Sequence, residues 1–378
     1  MFRVVVTLLI WGLFSSPNWS RAQPPQTSEA SPDTSADMTQ PTPVPPRSYV
    51  YRIANSNSIA DYEPDPGVVK RMVDDLVMAA TSESTVAAAW GSLVKPSDVV
   101  GIKVSANGAP LFSTHPAVVN AIVEGVTAAG VPPQNIVVWD REAELLKTAG
   151  FRIKNAGYRL MWTEGNYDAK AVITSPISGK LIYGDLLFVA KGPDIFHQNL
   201  KDSTPEPGRK RPRILDNLSD QSHLSAVLTH VVTKVINVPV LSDNIFCGLS
   251  GALFNMTIQN MDNWRRLVQD PVNGDPSIPE AYSDPQVSDK VVFQLMDGLV
   301  ALYAGGPMGD ANYSIQYGTL YASKDPVAID AIALRLIDGW RAGAQLEPAS
   351  KTAKYVQTAF TYGLGNADLS KIEVVNVR

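Results

Sequence analysis

From Ser48 onward the apolar residues follow two periods, and their alternation sets the expected fold. Between Pro66 and Ala80, Val68, Val69, Met72, Val73, Leu76 and Val77 share one face at helical spacing. Asp98 to Val104 reads as a strand, with Val100, Ile102 and Val104 on one face and Gly101 and Lys103 on the other. Ser113-Thr114-His115-Pro116 then opens a helix whose buried stripe is Val118, Ala121, Ile122, Gly125, Val126 and Ala129, with Gly130 as its stop. Asn135 to Trp139 is the next strand, ending at Asp140. Two strands joined through one helix make a βαβ unit, parallel and with a right-handed crossover.

Further along, a helix is predicted over Ser219 to Val232. Strands are predicted over Lys234 to Val238, Val291 to Met296, Thr319 to Ala322 and Ile372 to Val377. Two more helices run from Val327 to Ile337, behind Asp325-Pro326, and from Thr352 to Phe360. Gly150 to Asp220 is rich in Gly, Pro and polar residues. It reads as an elaborated insertion with short strand-like runs at Lys180 to Tyr183 and Asp185 to Ala190. Strands alternating with helices predict one α/β domain over 48–378, a three-layer sandwich with a mostly parallel sheet and an irregular middle insertion.

The first 47 residues carry a different pattern. Met1-Phe2-Arg3 is a short positive segment, Val4 to Phe14 is apolar apart from Thr7 and Gly12, and Ser20-Arg21-Ala22 offers small residues at a cleavage site. This is the grammar of a secretory signal peptide cut after Ala22, and the apolar run is short of the roughly 20 residues of a membrane span. Residues 23–47 hold seven prolines and seven Ser/Thr, which predicts a disordered linker. The expected product is exported to the periplasm or the cell exterior, with no membrane span after cleavage.

Composition narrows the function classes. At 45% hydrophobic and 18% charged the chain can bury a sizeable core. A net charge of −5 argues against a nucleic-acid partner, which would require a basic face. The single cysteine, Cys247, excludes an intrachain disulfide and an iron–sulfur cluster ligated by this chain alone. No GxGxxG or GxxxxGK[ST] pattern signals a nucleotide.

Several stretches taken together resemble one family. They are Asp98-Val-Val-Gly-Ile-Lys-Val, Ser113-Thr-His-Pro-Ala-Val-Val, Asn135-Ile-Val-Val-Trp-Asp140, Val235-Ile-Asn-Val-Pro-Val-Leu and Ser250-Gly-Ala-Leu-Phe-Asn-Met. Asp297-Gly-Leu-Val-Ala-Leu-Tyr-Ala-Gly-Gly-Pro and Ala322-Ser-Lys-Asp-Pro-Val-Ala-Ile-Asp330 complete the set. In this order, from about Asp98 to Val377, they resemble the "domain of unknown function 362" family. That resemblance implies a fold and an order of motifs but no established reaction. Many relatives carry ferredoxin-type cysteine clusters, which one cysteine cannot supply. Two further departures stand out: Ser242-Asp243-Asn244 replaces a Lys-Asp-His-like triplet, and Phe254 stands where a lysine commonly precedes the Asn. A role resting on that lysine or histidine is not carried over.

In an open parallel sheet, ligands bind beyond the carboxyl ends of the strands. Lys103, His115, Asp140 and Asp243 are therefore the candidate catalytic residues, expected on one rim. Asn107, Asn244, Asn255, Asp297 and Asp330 are the candidate substrate-binding residues of the same rim. A lysine, a histidine and carboxylates in reach of each other can bind an anion or move protons. The bland alternatives are a buried Lys–Asp pair and a histidine that only caps a helix. Oxygen ligands at this rim leave a divalent metal open as a cofactor, its identity unknown. His223 and His230, seven apart on the predicted helix, are poorly spaced for a metal pair. His197 has no evident partner, and Arg209-Lys-Arg-Pro-Arg213 reads as a solvated basic loop. Cys247 reads as a small buried hydrophobe, Asp325 as an N-cap and Gly305-Gly306-Pro307 as a turn. Asn217, Asn255 and Asn312 each begin a glycosylation sequon.

Two functions follow from this. The first is an exported enzyme acting on a small anionic substrate at the rim; the second is a non-catalytic exported ligand-binding or accessory protein using the same rim.

Overall fold

The computed structural model of the protein describes residues 46–152, 157–173, 221–268 and 270–378. The signal peptide, nearly all of the linker, the strand-like runs at 180–183 and 185–190, His197, the basic run at 209–213 and Asn217 lie outside these residues.

In chain order the strands are β1 (Ser48–Ala54), β2 (Ile59–Ala60), β3 (Glu63–Pro64), β4 (Val100–Val104), β5 (Ile136–Asp140), β6 (Arg159–Trp162) and β7 (Tyr167–Ile173). They continue as β8 (Ser222–Ser225), β9 (Lys234–Val238), β10 (Val240–Asn244), β11 (Gly248–Leu249), β12 (Val291–Leu302), β13 (Ser314–Ser323) and β14 (Ile372–Asn376). The helices are α1 (Pro66–Thr81), α2 (Val86–Gly91), α3 (Pro116–Ala128), α4 (Ala143–Thr148), α5 (Ala252–Met256) and α6 (Arg265–Val268). After these come α7 (Ser277–Tyr282), α8 (Pro285–Ser288), α9 (Pro326–Gly343) and α10 (Tyr355–Thr361).

The central sheet runs β14-β1-β13-β12-β9-β4-β5-β6. β12, β9, β4, β5 and β6 are mutually parallel neighbours, β13 is antiparallel to both β12 and β1, and β14 is parallel to β1. Past Pro239, β10 carries on where β9 stops and pairs in parallel with the far half of β12, Val240 opposite Asp297 and Ser242 opposite Leu302. The strand predicted to end at Met296 therefore runs six residues longer, to Leu302. The extension carries the carboxyl edge out over the site.

Each face of the sheet has its own core, as strand alternation requires. Ile102, Val104, Ile136, Val138, Ile236, Phe293 and Leu295 pack against the buried stripes of α1 and α3 and against Trp90 of α2. Val137, Trp139, Val235, Leu241 and Met296 face the other way, toward α5, α7, α9 and α10. This is the expected three-layer α/β sandwich. Gly101 belongs to the second face, where a Cβ would stand 2.5 Å from the Trp139 ring and 2.8 Å from Val232; the missing side chain makes room for the indole.

One predicted element is corrected. The described part of 219–232 is not a helix: Ser222–Ser225 is a strand paired antiparallel to β7, and Val227–Val231 is a single π-helical turn. Ser222, Leu224 and Ser225 are buried and His223 half-buried; it is the pairing with β7, which no local pattern shows, that makes this segment a strand.

Candidate functional site

The carboxyl edge of the sheet gathers the predicted residues, but it sorts them into separate groups on its two faces.

Lys103 leaves β4 toward α5 and is fully buried. Its ammonium donates to Asp140 Oδ1 at 2.6 Å, to the Val104 carbonyl at 2.8 Å and to Asn255 Oδ1 at 3.1 Å. Three donors meet three acceptors, so no proton is left for a ligand. The second oxygen of Asp140 accepts the Ala106 N–H at 2.7 Å. Asn255 passes the network on to Asn237 at 2.7 Å, and Asn237 donates to Gln294 at 2.7 Å and to the Ala252 carbonyl. Burial pushes the Lys103 ammonium down, and the Asp140 charge pulls it back. This closed network ties β4, β5, β9 and β12 to α5. Lys103, Asp140 and Asn255, read as candidate catalytic and substrate-binding residues, are here joined in one buried network with Ala106 and Asn237. Burial of Asn255 also keeps its sequon out of reach, whereas Asn312 is exposed.

His115 and Asp297 form the second group. Asp297 continues the Phe293 and Leu295 side of β12 and so faces α3. One of its oxygens accepts both the His115 backbone N–H and the ring Nδ1 at 2.8 Å, and the other accepts the Leu299 N–H at 3.0 Å. His115 is the residue before α3, yet its ring makes no capping hydrogen bond. Burial alone would lower its pKa; the charge and hydrogen bond of Asp297, with a smaller push from Glu63, raise it instead. Asp297, read as a candidate substrate-binding residue, is here the partner of His115. Lys103 lies on the opposite face of the sheet, and no side-chain hydrogen bond among the described residues links the two groups.

Asp243 forms the third group, on the Leu241 side of β10, facing α9. It lines a cavity of about 520 Å³ together with Asn244, Ile245, Gly305, Tyr313 and Arg341, with Glu347 and Lys351 further round the wall. Its Oδ1 accepts the Gly306 N–H at 2.8 Å, and its Oδ2 stands 3.5 Å from the Arg341 guanidinium. Burial pushes this carboxyl up to about 6, against the pull of the Gly306 amide, Arg341 and the Gly305 amide. Gly306 approaches so closely that a Cβ would collide with the Asp243 carbonyl. Asn244 lines the cavity, but its side chain holds its own turn, donating to Ser250 and accepting from Phe246 and Cys247. Arg341, in the last turn of α9, was missed by sequence reading. Nothing around it marks the residue; only the packing of α9 brings it to β10. It also donates to the carbonyls of Tyr303 and Glu347. Gly305-Gly306, read only as a turn, supplies an amide to the carboxylate.

The remaining candidates serve the fold. Asp330 is buried in α9 and accepts the N–H groups of Ala252 and Leu253, which caps α5. Asn107 is half-buried in the loop after β4 and makes no side-chain hydrogen bond. Cys247 is fully buried, and burial pushes its thiol up. Asp325 caps α9 through Val327 and Ala328. His223 pairs with Asp262 at 2.9 Å and His230 with Asp168 at 2.9 Å, from different elements instead of one helix face. Among the described residues no group of three or more His, Cys, Asp or Glu is placed to hold a metal ion, and no helix is long and apolar enough to cross a membrane.

No curated protein matches the chain. A crystal structure of a protein from Thermotoga maritima is similar over 76% of this chain and 61% of that one, at 11% identity and a TM-score of 0.40; the chain thus spans less than two thirds of that protein's length. Residues 212–335, which supply Asp243, Asn255, Asp297 and Asp330, match the family model described as Domain of unknown function (DUF362).

Proposed function

We propose that the protein is an exported enzyme that acts on a small anionic substrate in the cavity beside Asp243. The observation that carries this reading is the pairing of a buried, protonatable carboxylate with Arg341 in the lining of a cavity of about 520 Å³. That size suits a small molecule. Arg341 beside Asp243 and Lys351 paired with Glu347 at 3.0 Å place two cationic groups in its wall, to which an anion can bind in place of those carboxylates. Asp243, titrating at about 6, exchanges a proton close to neutral pH, as a general acid or base must.

The second reading is a non-catalytic binding protein using the same cavity. It is favoured by Asn244, whose side chain is committed to its own turn. Calorimetric titration with a panel of small carboxylates, phosphate and sulfate tests the first point. Binding should weaken at least about tenfold in Arg341→Ala and several-fold in Lys351→Ala, a loss of 1.4 kcal/mol or more for the former. A wild-type protein that binds none of these anions at millimolar concentration would sink the proposal. Mass spectrometry of the incubated ligand then separates the two readings. Conversion that disappears in Asp243→Asn while binding persists supports the enzyme. Binding with no conversion supports the accessory protein.

A further inference from the structure

We propose that His115 and Asp297 form a second proton-transfer centre, on the α3 face of the sheet, in which His115 Nε2 is the exchanging atom and Asp297 the positioning residue. This does not rest on the Asp243 cavity, whose carboxylate leaves β10 on the Leu241 face.

A histidine before a helix has an ordinary task, which is to accept a hydrogen bond from the first turn, and His115 does not perform it. The Asp297 carboxylate instead takes the ring at Nδ1 and the backbone N–H of the same residue, so both the position and the rotation of the imidazole are set by one group. Asp297 is itself fully buried and held by the Leu299 amide. With Nδ1 donating to the carboxylate, the neutral ring carries its lone pair on Nε2. Among the described residues Nε2 has no hydrogen-bond partner, and it is not among their sealed, unpartnered atoms. The 9% of the side chain that remains exposed is therefore its opening to solvent.

The proton balance is simple. Nε2 accepts a proton from a bound ligand, the ring becomes imidazolium with Nδ1–H still on Asp297, and the same proton is later returned from Nε2 to product or water. The charged groups facing the ring are Asp297 from β12 and Glu63 from β3, both acidic, and they stabilise the imidazolium. The ligand class is a small molecule presenting a weakly acidic O–H or N–H. An anion would meet two carboxylates here.

Two measurements on the full chain test this. Long-range proton–nitrogen spectra of labelled protein, with His115 assigned through His115→Gln, should show the Nδ1–H tautomer above its titration. Its midpoint should fall by about one unit or more in Asp297→Asn. Diethyl pyrocarbonate, followed by peptide mass spectrometry, should acylate His115 and do so more slowly as pH falls through that midpoint. An Nε2–H tautomer, or a His115 that resists the reagent, would overturn the proposal and leave a structural pair. Reactivity with an unchanged midpoint and tautomer in Asp297→Asn would overturn the role of Asp297. Should that variant fail to fold, the wild-type tautomer and acylation decide the matter.

Discussion

Lys103 is the residue whose meaning changed most between sequence and structure. At the end of a strand it is the kind of side chain expected to meet a ligand, and with no exposure and three filled hydrogen bonds it meets only protein. Replacing it leaves Asp140 as an uncompensated buried charge. Lys103→Ala should therefore cost about 3–5 kcal/mol, measured as the loss in urea-unfolding free energy. A change below about 1 kcal/mol would mean that water or a local shift satisfies Asp140. His115 is the reverse case: a residue with a modest structural alternative turns out to have its ring oriented by a carboxylate and its other nitrogen left open.

At the scale of elements, the joint between α5 and α9 is where a carboxylate stands in for a cap. The Asp330 oxygens take the N–H groups of Ala252 and Leu253, and Gly251 has no side chain because a Cβ there would collide with that carboxylate. Asp330→Ala should strand two buried donors and destabilise the protein by about 1–3 kcal/mol per donor, visible as a lower thermal midpoint. The loop after β12 works in the same way toward the cavity. Gly306→Ala would drive a methyl group into the Asp243 backbone. It should abolish anion binding while lowering the thermal midpoint only modestly, because the change sits at the rim of the sheet and not within its core. Binding retained in Gly306→Ala would detach that loop from the site.

For the whole molecule, three buried groups push stability in one direction with pH. Burial holds the protons on Asp243 to about pH 6 and on Asp330 to about pH 7, while in the unfolded chain both leave near their ordinary value of 3.8. The folded state thus binds more protons across that window, and stability falls as pH rises through it. His115, raised in the folded state, adds stability that is complete below its unfolded pKa and is lost as pH rises through the folded one. The thermal midpoint should accordingly decline from about pH 5 to about pH 7, and Asp330→Asn should flatten the upper part of that decline. A midpoint that rises over the same range would contradict the burial of these groups. Export has its own check at this scale: N-terminal sequencing of the secreted protein should begin at Gln23.

The sequence by itself determined the βαβ unit from β4 to β5, the layer order and the caps at Asp325 and Pro116, because these rest on short-range periodicity and on residues adjacent in the chain. It also placed Lys103 and Asp140 near the ends of β4 and β5 and His115 at the start of α3, as the structure has them, whereas Asp297, read as following a strand, lies within β12, and Asp243, read in a loop, lies in β10. Only the tertiary structure decided their partners. Which side of a sheet a strand-end residue serves depends on alternation carried through strand pairing, so Lys103 went to α5 and His115 to Asp297 across 182 positions of sequence. Arg341 reached Asp243 through the packing of α9, an approach that leaves no mark in the neighbouring residues. The strand at 222–225 formed because β7 offered it a partner. A segment whose local pattern admits both helix and strand takes the form in which its backbone hydrogen bonds and its apolar side chains are satisfied together, and that choice is made by the rest of the fold.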